Sequence, residues 1–281
     1  MGDLVNRDFT LNLGGTRVAA ETVDGARNEI LKVEFSVERS LSKSANTADV
    51  TVYNLSEQTR QLVSEKAIDT VLDAGYSGNS HTIFRGKLDA GKSWKNGADW
   101  VTNFQSTDGG KQLREKRINV SYSGKLSLEQ VFDAVADSLG VGLGNAKQKI
   151  REGNIRGAFK DFQNGIALNG YSRDQLDKLT KAFGYTWSIQ DGQLELLGPT
   201  DAIDRNDAIV LNSNTGLLGS PQSGEKGIIE ARSLLIPQLI PGRVVSLDSK
   251  LLNGFYRVDR VVFTGDTRGQ AWYADTELKP L

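Results

Sequence analysis

Apolar and polar positions alternate along both ends of this chain and fall at helical spacing in its middle. Phe9, Leu11 and Leu13 share one side up to Gly14-Gly15, and Val18 follows, which predicts a hairpin over Phe9–Val23. Ile30–Val37 alternates again, and Val50–Tyr53 reads as another short strand. Ser56 is placed to cap a short helix with Leu62, Val63 and Ala67 on its apolar side. Thr70–Tyr76 and Ile83–Leu88 predict two strands with Gly78-Asn79 in the turn between them. Trp94, Trp100 and Phe104 fall in later β-type runs.

A boundary is expected where Gly109-Gly110 leads into the charged string Arg114-Glu115-Lys116-Arg117, read as a solvated linker rather than a phosphate-binding strip. Beyond it the period changes. Ser127 with Gln130 forms a capping-box signature, Leu128, Val131, Phe132, Val135 and Leu139 recur at helical spacing, and Gly140 is the stop. A second such signature is Ser172 with Gln175, followed by Leu176, Leu179 and Phe183 and ended by Gly184. Tyr185–Ile189 and Leu194–Leu197 then alternate around Asp191-Gly192, the strongest hairpin signal in the chain, because both turn positions must accept positive φ.

After Gly198-Pro199 the pattern is β to the end. Val210-Leu211, Gly227–Ser233 and Leu234–Ile236 precede three runs rich in Val, Phe, Tyr and Trp: Pro241–Leu247, Phe255–Val258 and Val261–Phe263, with Trp272-Tyr273 following. Asn253-Gly254 is read as a tight turn and Gly265–Gly269 as a longer one, making a β-meander that closes on itself. The fold class is therefore α+β, mainly β, with three parts: a β-domain with one short helix over 1–112, an α/β middle region with two helices and a hairpin over 113–200, and a second β-domain over 201–281.

The length of 281 residues suits more than one core. Thirty Gly against five Pro agrees with many tight turns between short strands. Lys plus Arg number 34 and Asp plus Glu 35, so overall charge points to neither nucleic acid nor an anionic membrane, while leaving room for local patches. The absence of cysteine removes disulfides, thiolate metal sites and thiol nucleophiles together. The N-terminal residues lack a basic stretch followed by an apolar run, so no signal peptide is expected, and no apolar run approaches the ~20 residues of a membrane-spanning helix.

Candidate chemistry is sparse. The single histidine, His81, would have to serve any His-dependent base or triad, has no Gly-x-Ser-x-Gly elbow beside it, and reads as a surface residue. Asp201, Asp204 and Asp207 lack the spacing of an EF-hand loop. Gly140, Gly142 and Gly144 follow a helix instead of a strand, against a dinucleotide fingerprint. Gly219–Lys226 resembles a phosphate loop but has Glu225 where Lys belongs and Gly227 where a hydroxyl belongs. Glu195 near Trp187 is one member of a glycosidase pair without an evident second. The four Trp residues could stack on sugars, with Trp187 and Trp272 the two whose change to Ala would test it, though such residues are more often core or interface anchors. No catalytic, cofactor or metal residues are assigned, no cofactor is expected, and no enzymatic activity is expected.

Three stretches resemble the central hub proteins of phage tail baseplates. They are Tyr53–Arg60 with Val71–Tyr76 and Ile83–Gly86; Leu176–Leu197; and Thr215–Pro221 with Ser233–Leu235, Pro237, Pro241-Gly242 and the terminal meander. The resemblance implies two tail-tube-like antiparallel β-barrels flanking the small middle region. It implies a homotrimeric ring of pseudo-sixfold symmetry that joins a hexameric tail tube to a trimeric spike, located in the virion's tail baseplate and assembled in the host cytoplasm. Implied partners are the tube or tube-terminating protein, the central spike and other baseplate proteins, with DNA only in transit. A β-rich carbohydrate-binding protein and a cell-wall hydrolase of a tail tip are the alternatives.

Overall fold

The computed structural model describes residues 6–20, 31–65, 67–151, 162, 164–199, 201–203 and 207–281. The chain divides into two compact units. The first comprises Met1–Ser40, Asn46–Thr107 and Ala202–Leu281, and the second Leu41–Ala45 and Asp108–Asp201. Val23, Ile30 and Asp204, named above, lie outside the described residues.

The first unit holds β1 (Arg7–Leu13), β2 (Thr16–Ala20), β3 (Val33–Ser40), β4 (Asn46–Tyr53), α1 (Glu57–Ser64), β5 (Asp69–Tyr76), β6 (Asn79–Asn96) and β7 (Asp99–Asp108, whose last residue is counted with the second unit). The second holds α2 (Gly110–Glu115), β8 (Arg117–Tyr122), α3 (Leu128–Leu139), α4 (Ala146–Arg151), β9 (Ile166–Tyr171), α5 (Ser172–Ala182), β10 (Thr186–Gln190) and β11 (Gln193–Leu197). The first unit then resumes with β12 (Ile209–Leu211), β13 (Leu217–Ser223), β14 (Ile229–Leu234), β15 (Val244–Asp248), β16 (Asn253–Asp266) and β17 (Trp272–Pro280). The protein is mainly β with a minority of helix, an α+β architecture.

The first and last thirds do not form two separate barrels. Their strands join one sheet in the order β13-β14-β17-β16-β3-β4-β7-β6-β5-β1-β2, with β15 and β12 branching from β16, and no barrel closes among the described residues. The junction is β16. Its first half, Asn253–Arg257, pairs with β15 and its second half, Arg260–Asp266, pairs along the same edge with β3, while β17 covers the other edge. The handover coincides with a bulge at Asp259, the extra residue between the pairs Val258–Leu278 and Arg260–Glu277. Sequence alternation identifies strands, but it cannot say that a strand from the tail will choose a partner more than two hundred residues away.

Strict in–out alternation on β3, β4 and β17 sends Val33, Phe35, Val37, Ala48, Val50, Trp272 and Ala274 into one core. At its centre Phe35 stacks on Phe9 with ring centroids 5.5 Å apart and meets Trp272 edge-on at 5.4 Å. The Trp272 indole N–H donates to the Gly75 carbonyl at 3.0 Å. Arg7 donates to the carbonyls of Asp266, Gly269 and Gln270 and lies over the Trp272 ring. These contacts bring β1 and β5 against the β16–β17 turn, although neither is their neighbour in the sheet.

Several turns differ from the sequence reading. Asn253-Gly254 lies inside β16. The turn precedes it, where the Ser249 side chain accepts from Leu252 N–H and Asn253 Oδ1 accepts from Ser249 N–H. The helix capped by Ser56 ends at Ser64, so Ala67 lies beyond it, at φ 65°. Phe255–Val258 and Val261–Phe263 are one strand, made continuous by the Asp259 bulge.

In the second unit, α3 and α5 pack with the β10–β11 hairpin around Val131, Phe132, Val135, Leu139, Leu176 and Leu194. The Ser127–Gln130 capping box is fully formed and Gly140 closes α3 in the left-handed conformation. Asp191 and Gly192 both take positive φ in the hairpin turn, and their N–H groups donate to the Asp108 carboxylate. The second capping box does not form: Tyr171 is the cap residue, and Ser172 is buried at the first helical position, where it accepts from the Ser138 hydroxyl. The string Arg114–Arg117 is not a linker. It ends α2 and starts β8, and Arg117 lies 4.2 Å from the centre of the Tyr171 ring.

Candidate functional site

The residues singled out for chemistry are dispersed. His81 is exposed on β6, opposite Ala74 of β5. Asp201 pairs with Lys149 at 3.0 Å and accepts from Gly198 N–H, whereas Asp207 pairs with Arg243. Among the described residues no group of three or more metal-ligating side chains is gathered. Gly140, Gly142 and Gly144 shape the α3–α4 connection, and Gly142 bridges to Gln193 of β11. Gly219–Ser223 runs within β13, with a register shift between Leu218 and Gln222, so the phosphate-loop likeness has no structural counterpart there.

Trp187 and Trp272 are each only 2% exposed. The Trp187 indole N–H donates to Asp177 at 2.6 Å, and Lys43 pairs with the same carboxylate oxygen. Burial pushes the Asp177 carboxyl up, but the bonds from Lys43 and Trp187 outweigh this and hold it below the usual carboxylate range. Neither indole presents a face on which a sugar ring can stack. Trp187 pairs with Leu196 and Ser188 with Glu195, so Trp187 and Glu195 point to opposite faces of the hairpin. Burial raises the Glu195 carboxyl above its usual range, partly offset by the Asn145 N–H.

Sequence reasoning missed two surface features. The first is a groove of about 590 Å³ lined by residues of β13, β14, β16 and β17, among them Leu218, Glu230, Arg232, Arg260, Asp275 and Glu277. Arg232 makes a two-pronged contact with Asp275 at 2.6 and 2.9 Å. Arg260 reaches Glu38 of β3 and Glu277 of β17, each at 2.7 Å. The Arg260 bond holds the Glu38 carboxyl below its usual range. The alternation of charge across strands has no signal in a single strand's sequence, because the partners are far apart along the chain.

The second feature is the long β6–β7 ribbon. Its tip carries Trp94 and Trp100, 40% and 37% exposed, paired respectively across the ribbon with Val101 and Lys95. Of the four Trp residues considered as platforms, these two are the exposed ones, and the two chosen for substitution, Trp187 and Trp272, are buried.

No protein-family model matches the chain, and no curated protein sequence matches it. Solved structures do. The 43 kDa tail protein of prophage MuSo2 from Shewanella oneidensis superposes with a TM-score of 0.67 at 11% identity, over 98% of this chain and 97% of that one. A tail protein from Neisseria meningitidis MC58 gives 0.61 at 9% identity, over 98% and 96%. An Escherichia coli component of the type VI secretion system, described as structurally similar to the bacteriophage T4 tail proteins gp27 and gp5, gives 0.58 at 10% identity, over 96% and 76%. Across nearly its whole length, this chain has the fold of phage tail proteins.

Proposed function

We propose that this protein is a structural component of a phage tail and, within it, the central hub of the baseplate. The observation that carries the reading is the end-to-end superposition on a tail protein, covering 98% of this chain and 97% of the other. In this reading three copies form a ring of pseudo-sixfold symmetry that joins the hexameric tail tube to the trimeric spike and surrounds the passage of DNA. Its partners are the tube or tube-terminating protein, the spike and other baseplate proteins. It works in the virion, is assembled in the host cytoplasm, and acts by shape rather than by catalysis.

The branching at β16 supports this reading. The strand serves one group, with β15 and β12, in its first half and another, with β3 and β4, in its second. Two groups of strands per chain in three chains supply six wall elements, which a hexameric tube requires. Heterologous contacts repeated about an axis close such a ring.

Sedimentation of the purified chain, alone and mixed with the cognate spike and tube proteins, tests the proposal. A three-copy assembly, formed alone or on mixing, is expected. A monomer indifferent to both partners would overturn it.

A further inference from the structure

The two surface features found above are complementary, and both lie in the first unit. At the tip of the β6–β7 ribbon, Trp100 carries the Arg60 guanidinium 4.1 Å from its ring centre, with Lys95 as its cross-strand partner. Trp94, on the opposite face, carries Lys92 at 5.4 Å. Each face thus shows an indole with a cation over it. The tip's one carboxylate, Asp99, accepts from Asn54.

The tip is also held in place. Asn54, at φ 59°, accepts from Trp100 N–H through its side chain and donates to the Trp100 carbonyl through its backbone. Arg60 is anchored on the Leu55 carbonyl at 2.6 Å. A surface fixed before binding loses little entropy on docking, and Trp with Arg is the composition that dominates interface energetics.

The groove has the opposite character. Glu38, Glu230, Asp275 and Glu277 face two guanidiniums, Arg232 and Arg260, and both guanidiniums are already engaged. Glu230 and Glu277 are direct cross-strand partners, and among the described side chains no cation pairs with Glu230. Like charges facing each other across a ladder are unfavourable, and of this pair only Glu277 has a cationic partner among the described side chains, so a cation brought to Glu230 would relieve the repulsion. Leu218, 40% exposed, provides an apolar contact on its wall.

We propose that the Trp94–Trp100 ribbon tip of one copy docks in the β13–β14–β17–β16 groove of the next, with the Trp100 face inward and Lys95 facing Glu230 and Glu277. The occupant is a second copy of this chain, because the cationic indole tip and the carboxylate-rich groove are matched in charge and are different surfaces. That makes the contact head-to-tail, the type that closes rings or extends filaments. The inference deepens the ring reading given above and identifies its adhesive surface.

The absence of cysteine from this chain gives a clean test. Two single variants, Lys95→Cys and Glu230→Cys, are mixed in equal amounts under mild oxidation and resolved on a non-reducing gel. A disulfide-linked heterodimer is expected from the mixture. In parallel, Trp94→Ala/Trp100→Ala should weaken self-association by at least about thirtyfold. Lys95→Glu and Glu230→Lys should each weaken it, and the two combined in one chain should restore it. Circular dichroism confirms that each variant is folded.

A threefold ring without the cross-link, and unaffected by the Trp changes, overturns this inference and leaves the hub reading standing. Cross-linked open chains that never close into a threefold ring support the contact and overturn the ring. Failure of both the cross-link and self-association, with the protein alone and with spike and tube proteins added, overturns both.

Discussion

Gly265→Ala tests the aromatic centre of the first unit. Gly265 lies in β16 with Phe35 as its cross-strand partner on one side and Trp272 on the other. A Cβ at this position would sit 2.2 Å from Phe35 Cζ, 2.3 Å from Phe35 Cε1 and 2.9 Å from Trp272 Cζ3, all inside van der Waals contact. Neither ring has room to retreat. Phe35 is stacked on Phe9, and Trp272 is pinned by its bond to the Gly75 carbonyl. Overpacking of a dense core costs ~1–3 kcal/mol, and losing the indole bond adds about 1 kcal/mol. The expected destabilisation is about 3 kcal/mol, or roughly 6–12 °C in Tm. Calorimetry is the appropriate assay, since a chain of two compact units is not expected to melt in one two-state step. Phe35→Leu removes the obstructing ring edge, so the double variant should be less destabilised than the sum of the singles by at least ~1 kcal/mol. Additivity, or a Gly265→Ala protein within about 0.5 kcal/mol of wild type, would refute the close-packing argument.

Trp187→Ala should destabilise the second unit by about 3–5 kcal/mol, measured by chemical denaturation, because it empties a fully packed site and removes the bond to Asp177. A loss of glycan affinity without loss of stability would contradict that role. Ser127→Ala should cost about 1 kcal/mol through the lost cap, and restoring Ser should recover it. In the protein, Ser172→Ala should leave hydrogen-exchange protection of the first-turn amides of α5 unchanged, since its hydroxyl accepts from Ser138 and caps none of them. For Glu195, burial raises the folded carboxyl above its unfolded value of 4.5, so the ionised form opposes folding. The penalty is absent below the unfolded value and grows as pH rises through the folded one. Glu195→Gln should therefore stabilise the protein at pH 7, and the gain should vanish near pH 4 in a stability–pH series.

Local features of this fold are legible in the sequence where a few adjacent residues determine them. The Asp191-Gly192 hairpin, the Ser127 capping box and the Gly140 stop each rest on backbone geometry that only certain residues accept, and each is found as read. Ser172 shows where that reasoning ends. Its spacing to Gln175 fits a capping box, yet Gln175 donates to the Asn169 carbonyl and the helix starts one residue early. Asn253-Gly254 fits a tight turn, yet the Ser249 and Asn253 side chains close a different one just before it. Long-range pairing is less legible still. Nothing near Arg260 in sequence announces Glu38, and nothing near Trp94 announces a groove built from the last third of the chain. The sequence does indicate that Trp residues anchor, but burial alone separates Trp187 and Trp272 from Trp94 and Trp100.

Electron microscopy of the purified protein, alone and after addition of its tube and spike partners, addresses the proposed role most directly. Annular particles containing three copies, with six similar wall elements around an open centre, are expected. Stable monomers that remain single on addition of both partners, or closed assemblies lacking threefold symmetry, would contradict it.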